Sequence, residues 1–355
     1  MKSLKNKLTI GIGLVFGLVG CGGNTFTLAN DEAQFSQNTK ASSVPIDILW
    51  VIDNSGSMAT SQQQVATNVA SFINKFKQTN FDYRIAVTTT EAYRSLATFT
   101  GDSSWSRFRN GNATGGASGF TIIAPETPQL ENVFDLNIKQ GVTGSADERG
   151  FQSLEAALLN LDNQAEFPRA GALLAVIFLT DEEDFSWDGT ANIQLDGNGN
   201  PNSNTDARLH SHERYLDILD QVTRSSESKK NYIVNTIAIF DEACRAQLAT
   251  GFTGRRIADR YAAFTDATGG VKASLCDDFS GILTNLSDTI LEFSSKFYLN
   301  RVPDVTTLQI YVNDKLVPSE GWAYNETENS INFKTGFIPE EDAKIVVRFT
   351  PTTLK

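Results

Sequence analysis

Between residues 45 and 294, short apolar runs alternate with stretches whose apolar positions recur every three to four residues. The runs lie at 46–52, 83–87, 173–179, 232–239 and 271–275. The run 173–179 is apolar at every position, the pattern of a central parallel strand covered on both faces. Helical spacing appears at Val65, Val69, Phe72, Ile73 and Phe76, and at Phe151, Leu154, Leu158 and Leu161. It recurs at Tyr215, Leu216, Leu219 and Val222, then at Ile282, Leu283, Leu286, Ile290 and Phe293. Strands alternating with helices predict an α/β domain over 44–294, built on a doubly wound, mostly parallel sheet.

After residue 296 the period shortens to two. Leu308, Ile310 and Val312 alternate with polar neighbours, and Ile331, Phe333, Ile345, Val347 and Phe349 follow between turn residues. Residues 296–355 therefore read as a small all-β, sandwich-like module of about five strands. Its size makes a marginal core, so it is expected to pack on the larger domain.

Two long polar segments, 93–132 and 185–206, interrupt the alternation. Loops of this length are functional or disordered. The run 196–206 reads as a flexible insertion, since Pro201 stands where a calcium loop needs glycine.

At the N-terminus Lys2, Lys5 and Lys7 precede an apolar run over 8–19, too short to span a bilayer and expected to be an export signal. The tetrad Leu18-Val19-Gly20-Cys21 that closes it resembles the lipobox of bacterial lipoproteins. The resemblance implies a signal peptide over 1–20 and a lipidated Cys21 anchoring the chain to a membrane. Gly22 in place of Asp implies the outer membrane, on its periplasmic side or at the cell surface. Residues 21–43 are polar and aperiodic and read as a flexible tether.

The remaining cysteines, Cys244 and Cys276, form an even pair in an exported chain and are expected to make a disulfide. A formal net charge of −12, with no basic stripe in the sequence to neutralise phosphates, argues against nucleic acid as a partner.

The chemistry concentrates at Asp53-Asn54-Ser55-Gly56-Ser57, directly after the first strand. One carboxylate and two hydroxyls at alternate positions, in a turn at a strand end, gather hard oxygen ligands. Such a set suits Mg²⁺, Mn²⁺ or Ca²⁺ rather than zinc. The competing reading is a helix N-cap. Asp181 stands just past the run 173–179, where ligands bind in doubly wound sheets.

On these residues 44–294 resembles the von Willebrand factor type A (VWA) domain, in which D-x-S-x-S opens a metal-ion-dependent adhesion site. The resemblance implies metal ligands at Asp53, Ser55, Ser57 and Asp181. It also implies a threonine from a middle loop, which this sequence lacks. Glu148 stands in its place, with Ser145 and Asp147 as rivals. A third carboxylate close to Asp53 and Asp181 is relieved only by a cation or a proton, unless Arg149 neutralises it and leaves a weaker site. The implied activity is binding of a protein ligand whose acidic side chain completes the coordination of a divalent cation, Mg²⁺ first.

Other candidates read as structural. Glu182, Glu183 and Asp184 are expected to be rim charges, and His210 and His212 solvated polar residues. No G-x-S-x-G elbow, phosphate loop or H-E-x-x-H helix occurs, so the chain is expected not to be an enzyme. A metal-assisted hydrolase at Asp53 and Asp181 lacks a base or nucleophile. The alternative to ligand binding is a metal-independent assembly component of the envelope.

Overall fold

The computed structural model describes residues 35–40, 44–78, 81–198, 202–226, 229–248, 255–340 and 343–352. The expected signal peptide, Cys21 and most of the expected tether lie outside them. Six strands form the main sheet: β2 (Ile46–Ile52), β3 (Tyr83–Thr89), β4 (Ile122–Ile123), β5 (Leu173–Leu179), β6 (Tyr232–Ala238) and β7 (Lys272–Ser274). The strand β1 (Phe35–Lys40) lies elsewhere. The order is β4-β3-β2-β5-β6-β7, parallel throughout except for the short β4 at one edge. All seven residues of β2 and of β5 are buried, because helices cover both faces. This is the doubly wound α/β architecture expected from the run pattern.

One face carries α1 (Ala59–Thr67), α2 (Val69–Gln78), α3 (Leu130–Ile138), α7 (Glu242–Leu248) and α9 (Phe279–Ser294). There Trp50 of β2 meets Phe72 and Phe134 edge-on, with ring centroids 5.6 and 6.0 Å apart. The other face carries α4 (Gly150–Leu159), the short α5 (Leu161–Gln164), α6 (His212–Thr223) and α8 (Asp259–Thr268). Phe151, Tyr215, Tyr261 and Phe264 cluster against Phe178 of β5 on this side.

The single helix read from Val65 to Phe76 is two helices, broken at Asn68. Its side-chain Nδ2 donates to the Gln64 carbonyl at 2.9 Å, competing with the backbone for that acceptor. Asp47, buried within β2, is held by Arg169 Nε at 2.8 Å, although burial still pushes its carboxyl pKa up. Cys244 of α7 and Cys276 are joined by a disulfide with Cα atoms 5.7 Å apart, as expected.

The β module holds β8 (Phe297–Tyr298), β9 (Gln309–Val312), β10 (Lys315–Leu316), β11 (Trp322–Asn325), β12 (Ser330–Phe333) and β13 (Lys344–Phe349). Its strands form two sheets, β1-β13-β9-β10 and β11-β12-β8. One correction follows at the tether. Residues 35–40, placed there as flexible chain, form β1 and pair antiparallel with β13 from Phe35 opposite Phe349 to Lys40 opposite Lys344. The β module thus takes a strand from before the α/β domain as well as those after it. The module sits on α9: Glu292 Oε1 accepts from Thr335 N–H at 2.9 Å, and Glu292 Oε2 pairs with Lys334 at 3.3 Å. No helix among the described residues is long and apolar enough to cross a membrane.

Candidate metal centre

The site stands where the winding of the sheet reverses. β2 and β5 are parallel neighbours, with Ile52 opposite Leu179, while β3 and β6 lie on their outer sides. Such a switch point opens a crevice beyond the carboxyl ends of the strands. Asp53 N–H donates to the Leu179 carbonyl at 2.9 Å, carrying the pairing one residue past β2. Ser55 N–H donates to Asp53 Oδ1 at 2.7 Å, and the Thr180 hydroxyl donates to Asp53 Oδ2 at 2.9 Å. Asp53 is fully buried, and burial, then the charge of Asp181, pushes its pKa up to about 6.

The two hydroxyls of the D-x-S-x-S turn lie together, Ser55 Oγ 3.3 Å from Ser57 Oγ. Ser57 Oγ–H donates to Asp181 Oδ1 at 2.8 Å, across 124 residues of sequence. Asp53, Ser55, Ser57 and Asp181 therefore form one connected group. The turn does not act as a side-chain N-cap: α1 begins after Met58, with no side-chain capping hydrogen bond.

The middle loop meets the first turn at Gly144, whose N–H donates to the Asn54 carbonyl at 2.9 Å. A Cβ at 144 would stand 2.7 Å from that oxygen, so the approach requires glycine. Glu91 ties the loops further, accepting from Asn54 Nδ2 at 3.0 Å and from Ser145 N–H at 3.1 Å.

The three rivals in this loop divide clearly. The Ser145 hydroxyl accepts from Asp147 N–H at 3.0 Å, and Asp147 Oδ2 pairs with Arg149 Nε at 2.9 Å. Glu148 is 1% exposed, and neither of its carboxylate oxygens has a hydrogen-bond partner among the described residues. Its pKa is raised well above the usual range by burial, then by the charges of Asp53 and Glu182. The Thr90 hydroxyl, at the end of β3, lies near enough to oppose that rise without meeting hydrogen-bond geometry.

Arg149 does not neutralise Glu148. Its fully buried guanidinium turns away to Asp147 and to the carbonyls of Trp187, Gly189 and Ala191. Those bonds tie the start of the second long loop. Its run 196–206 is held as well where it is described, which corrects the reading of a flexible insertion: Arg256 donates to the carbonyls of Gln194 and Asn202, and Asn202 Nδ2 donates to the Ile193 carbonyl at 2.9 Å. Residues 199–201 lie outside the described residues.

The acids after Asp181 are not rim charges. Asp184 is fully buried because its carboxylate serves α4, accepting from Phe151 N–H at 2.9 Å in the first turn. Glu183 accepts from the backbone N–H of Asp184 and of Arg260, each at 2.9 Å, and burial pushes its pKa up to about 8. Glu182, 7% exposed, is pushed up to about 8 by burial and by Asp53 and Asp181, with Arg256 opposing. Its Oε2 lacks a partner among the described residues. His210 is likewise buried rather than solvated, with Nδ1 2.7 Å from Tyr215 Oη and Nε2 2.9 Å from Asp188 Oδ1.

Sequence reasoning missed Thr90, Thr180, Glu182 and Arg255 as neighbours of the site. Arg255 Nε lies 2.7 Å from Asp181 Oδ2. An open groove of about 610 Å³ runs beside Ser57 and Asp181, lined also by Gln64, Leu248, Arg255 and Phe279.

The ligand atoms fit a hard divalent cation: carboxylate and hydroxyl oxygens, with both buried oxygens of Glu148 unpartnered among the described residues, although the Arg255 guanidinium stands on Asp181. Among the described residues no three His, Cys, Asp or Glu side chains are gathered as a metal-holding group. An ion here would therefore rest on the hydroxyls of Ser55 and Ser57 as much as on the acids.

No family model and no curated protein matches the chain. Among solved structures it is similar to the pilus adhesin SpaC from Lactobacillus rhamnosus GG in its open conformation, at 13% identity and a TM-score of 0.39. That match covers 88% of this chain and 40% of SpaC. It is similar to a von Willebrand factor type A protein from Catenulispora acidiphila at 13% identity and a TM-score of 0.35, covering 90% of this chain and 61% of that one. A third is proximal thread matrix protein 1 from the mussel byssus with a zinc-occupied MIDAS motif. There identity is 14% and the TM-score 0.37, covering 72% of this chain and 47% of the other. The chain thus spans less than two thirds of the length of each of these proteins.

Proposed function

We propose that the chain is a cell-envelope lipoprotein, anchored through Cys21, that binds a protein ligand through a divalent cation. Asp53, Ser55, Ser57 and Asp181 hold the ion, with Glu148 as the added carboxylate of the middle loop. Mg²⁺ is the first choice, with Mn²⁺ and Ca²⁺ as alternatives. The observation that carries this reading is Glu148, a nearly inaccessible carboxylate with neither oxygen partnered among the described residues, beside Asp53 and Asp181. Burial and the neighbouring acids push this carboxylate towards its protonated form, and a cation is the other way to relieve the crowding, one that lets it serve as a ligand. When bound, the ion offers a coordination position to an acidic side chain of the partner.

Thermal unfolding of the purified protein with Mg²⁺, Mn²⁺ or Ca²⁺ tests the reading. At least one cation is expected to raise the melting temperature of the parent and not of Asp53→Ala. No response in the parent defeats it. Envelope pull-downs with and without chelator then test whether partner capture depends on the ion. Labelling with a fatty acid, lost in Cys21→Ser, tests the anchor.

A second reading, a metal-independent assembly component, draws on the pairing of Arg255 with Asp181. It expects partner capture to persist in chelator and in Asp53→Ala.

A further inference from the structure

The acidic centre already contains a positive charge of its own. Arg255 Nε lies 2.7 Å from Asp181 Oδ2, the two side chains being 11% and 1% exposed. The other oxygen of Asp181 accepts from Ser57 Oγ at 2.8 Å. Both oxygens are thus engaged, one by a hydroxyl expected to bind the ion and the other by a guanidinium. In so little water such a charge-assisted pair is strong, and a divalent ion must displace it to use that oxygen. There is room for the displaced group, since Arg255 lines the open groove beside Ser57 and Asp181.

We propose that Arg255 is an internal competitor for the cation: guanidinium and ion exchange on Asp181, and ion binding releases Arg255 into the groove, where it meets an anionic group of the partner. This rests on the function proposed above and adds to it a device that sets cation affinity and couples it to the partner. The apparent affinity of a site falls in proportion to the fraction of molecules competent to bind. If Arg255 leaves Asp181 in about one molecule in ten, cation binding is about tenfold weaker than the naked site allows.

Arg256 supplies the control. Its guanidinium donates to the carbonyls of Gln194 and Asn202, and it touches Asp181 only through its backbone N–H, which donates to the Asp181 carbonyl at 3.2 Å. Removing its charge changes the local field by the same unit without freeing the Asp181 carboxylate.

The test is calorimetric titration of Mn²⁺ into the full protein, into Arg255→Gln and into Arg256→Gln, with melting temperatures in chelator to verify folding. Arg255→Gln is expected to bind Mn²⁺ about tenfold or more tighter than the parent, and Arg256→Gln to shift affinity by less than about threefold. Equal or weaker binding in Arg255→Gln, or an equal gain in Arg256→Gln, overturns the proposal. If the parent binds Mn²⁺ and Arg255→Gln binds it no better, the competitor falls and the cation site stands. If neither binds, both fall. A measurement on the parent needs no variant to fold: the arginine side-chain NMR signals on adding Mg²⁺. The Arg255 Nε–H resonance is expected to lose its protection from exchange as the ion binds. An unchanged resonance at saturating Mg²⁺ overturns the proposal.

Discussion

The hydroxyl of Thr180 donates to Asp53 Oδ2 at 2.9 Å, locking together the ends of the two central strands. With the Ser55 N–H on Oδ1, it fixes the carboxylate that opens the site before any ion arrives. Thr180→Val keeps the shape and removes the hydroxyl, leaving Asp53 Oδ2 short of one donor and the buried Glu182 N–H short of its acceptor. The expected cost is about 1–3 kcal/mol in chelator, read by denaturant unfolding. The unfolding slope is expected to stay unchanged, because the exposed surface is the same.

Glu148 poses the opposite problem, an acid whose carboxylate no described neighbour satisfies. Whether it stands charged among Asp53 and Glu182 or takes up a proton, folding bears an electrostatic cost that a neutral amide escapes, although the amide is buried with equally few partners. Glu148→Gln is therefore expected to stabilise the protein in chelator by about 1–3 kcal/mol. The same substitution is expected to weaken the cation response, so that melting temperatures of parent and variant converge as Mg²⁺ or Mn²⁺ is added. A variant less stable than the parent in chelator contradicts this account.

The pieces of the site that were legible in the sequence are those whose meaning is local. Asp53, Ser55 and Ser57 follow a buried strand without a break, and Asp181 ends a run in which all seven residues are apolar and buried. The rest depends on contacts no local pattern encodes. Glu182 to Asp184 look like surface acids until the α4 amides, Arg256 and Arg260 close over them. Arg255 reaches Asp181 from 74 residues away with no periodicity to announce it. Helix α8 was missed because its sequence, DRYAAFTDAT, offers mainly Tyr261 and Phe264 as large apolar side chains, although both are fully buried. β1 was missed because FSQNTK lacks alternating apolar positions and pairs with a strand at the far end of the chain.

His210 sits between Tyr215 and Asp188, on a loop held against α6. Burial, then the charge of Arg214, lowers its pKa from the ordinary 6.5, with Asp188 opposing. The unfolded chain consequently binds more protons than the folded one just below pH 6.5, so this group's contribution to stability rises with pH through that window. Acidification is expected to lower the melting temperature of the parent relative to His210→Asn. With only two histidines in the chain, an imidazole NMR titration reads the shift directly. A His210 midpoint at or above 6.5 contradicts the burial argument.

Arg149 is the cation on which the loop after β5 depends. Fully buried, it gives Nε to Asp147 at 2.9 Å and its terminal nitrogens to the carbonyls of Trp187, Gly189 and Ala191. Tyr93, Phe99 and Trp187 rings lie within 4.9 to 5.9 Å of its guanidinium carbon. Arg149→Met fills part of the volume but takes the guanidinium from the buried Asp147 carboxylate and from the Trp187 and Gly189 carbonyls, while the Ala191 carbonyl keeps the Trp187 Nε1–H. Breaking such a pair costs about 3–5 kcal/mol. The loss is expected to fall first on the loop, since the β2–β5 pairing does not involve Arg149. Limited proteolysis should therefore cut within 185–206 at denaturant concentrations where the sheet is still folded. Cleavage arriving only together with global unfolding would mean that the loop and the sheet come apart as one unit.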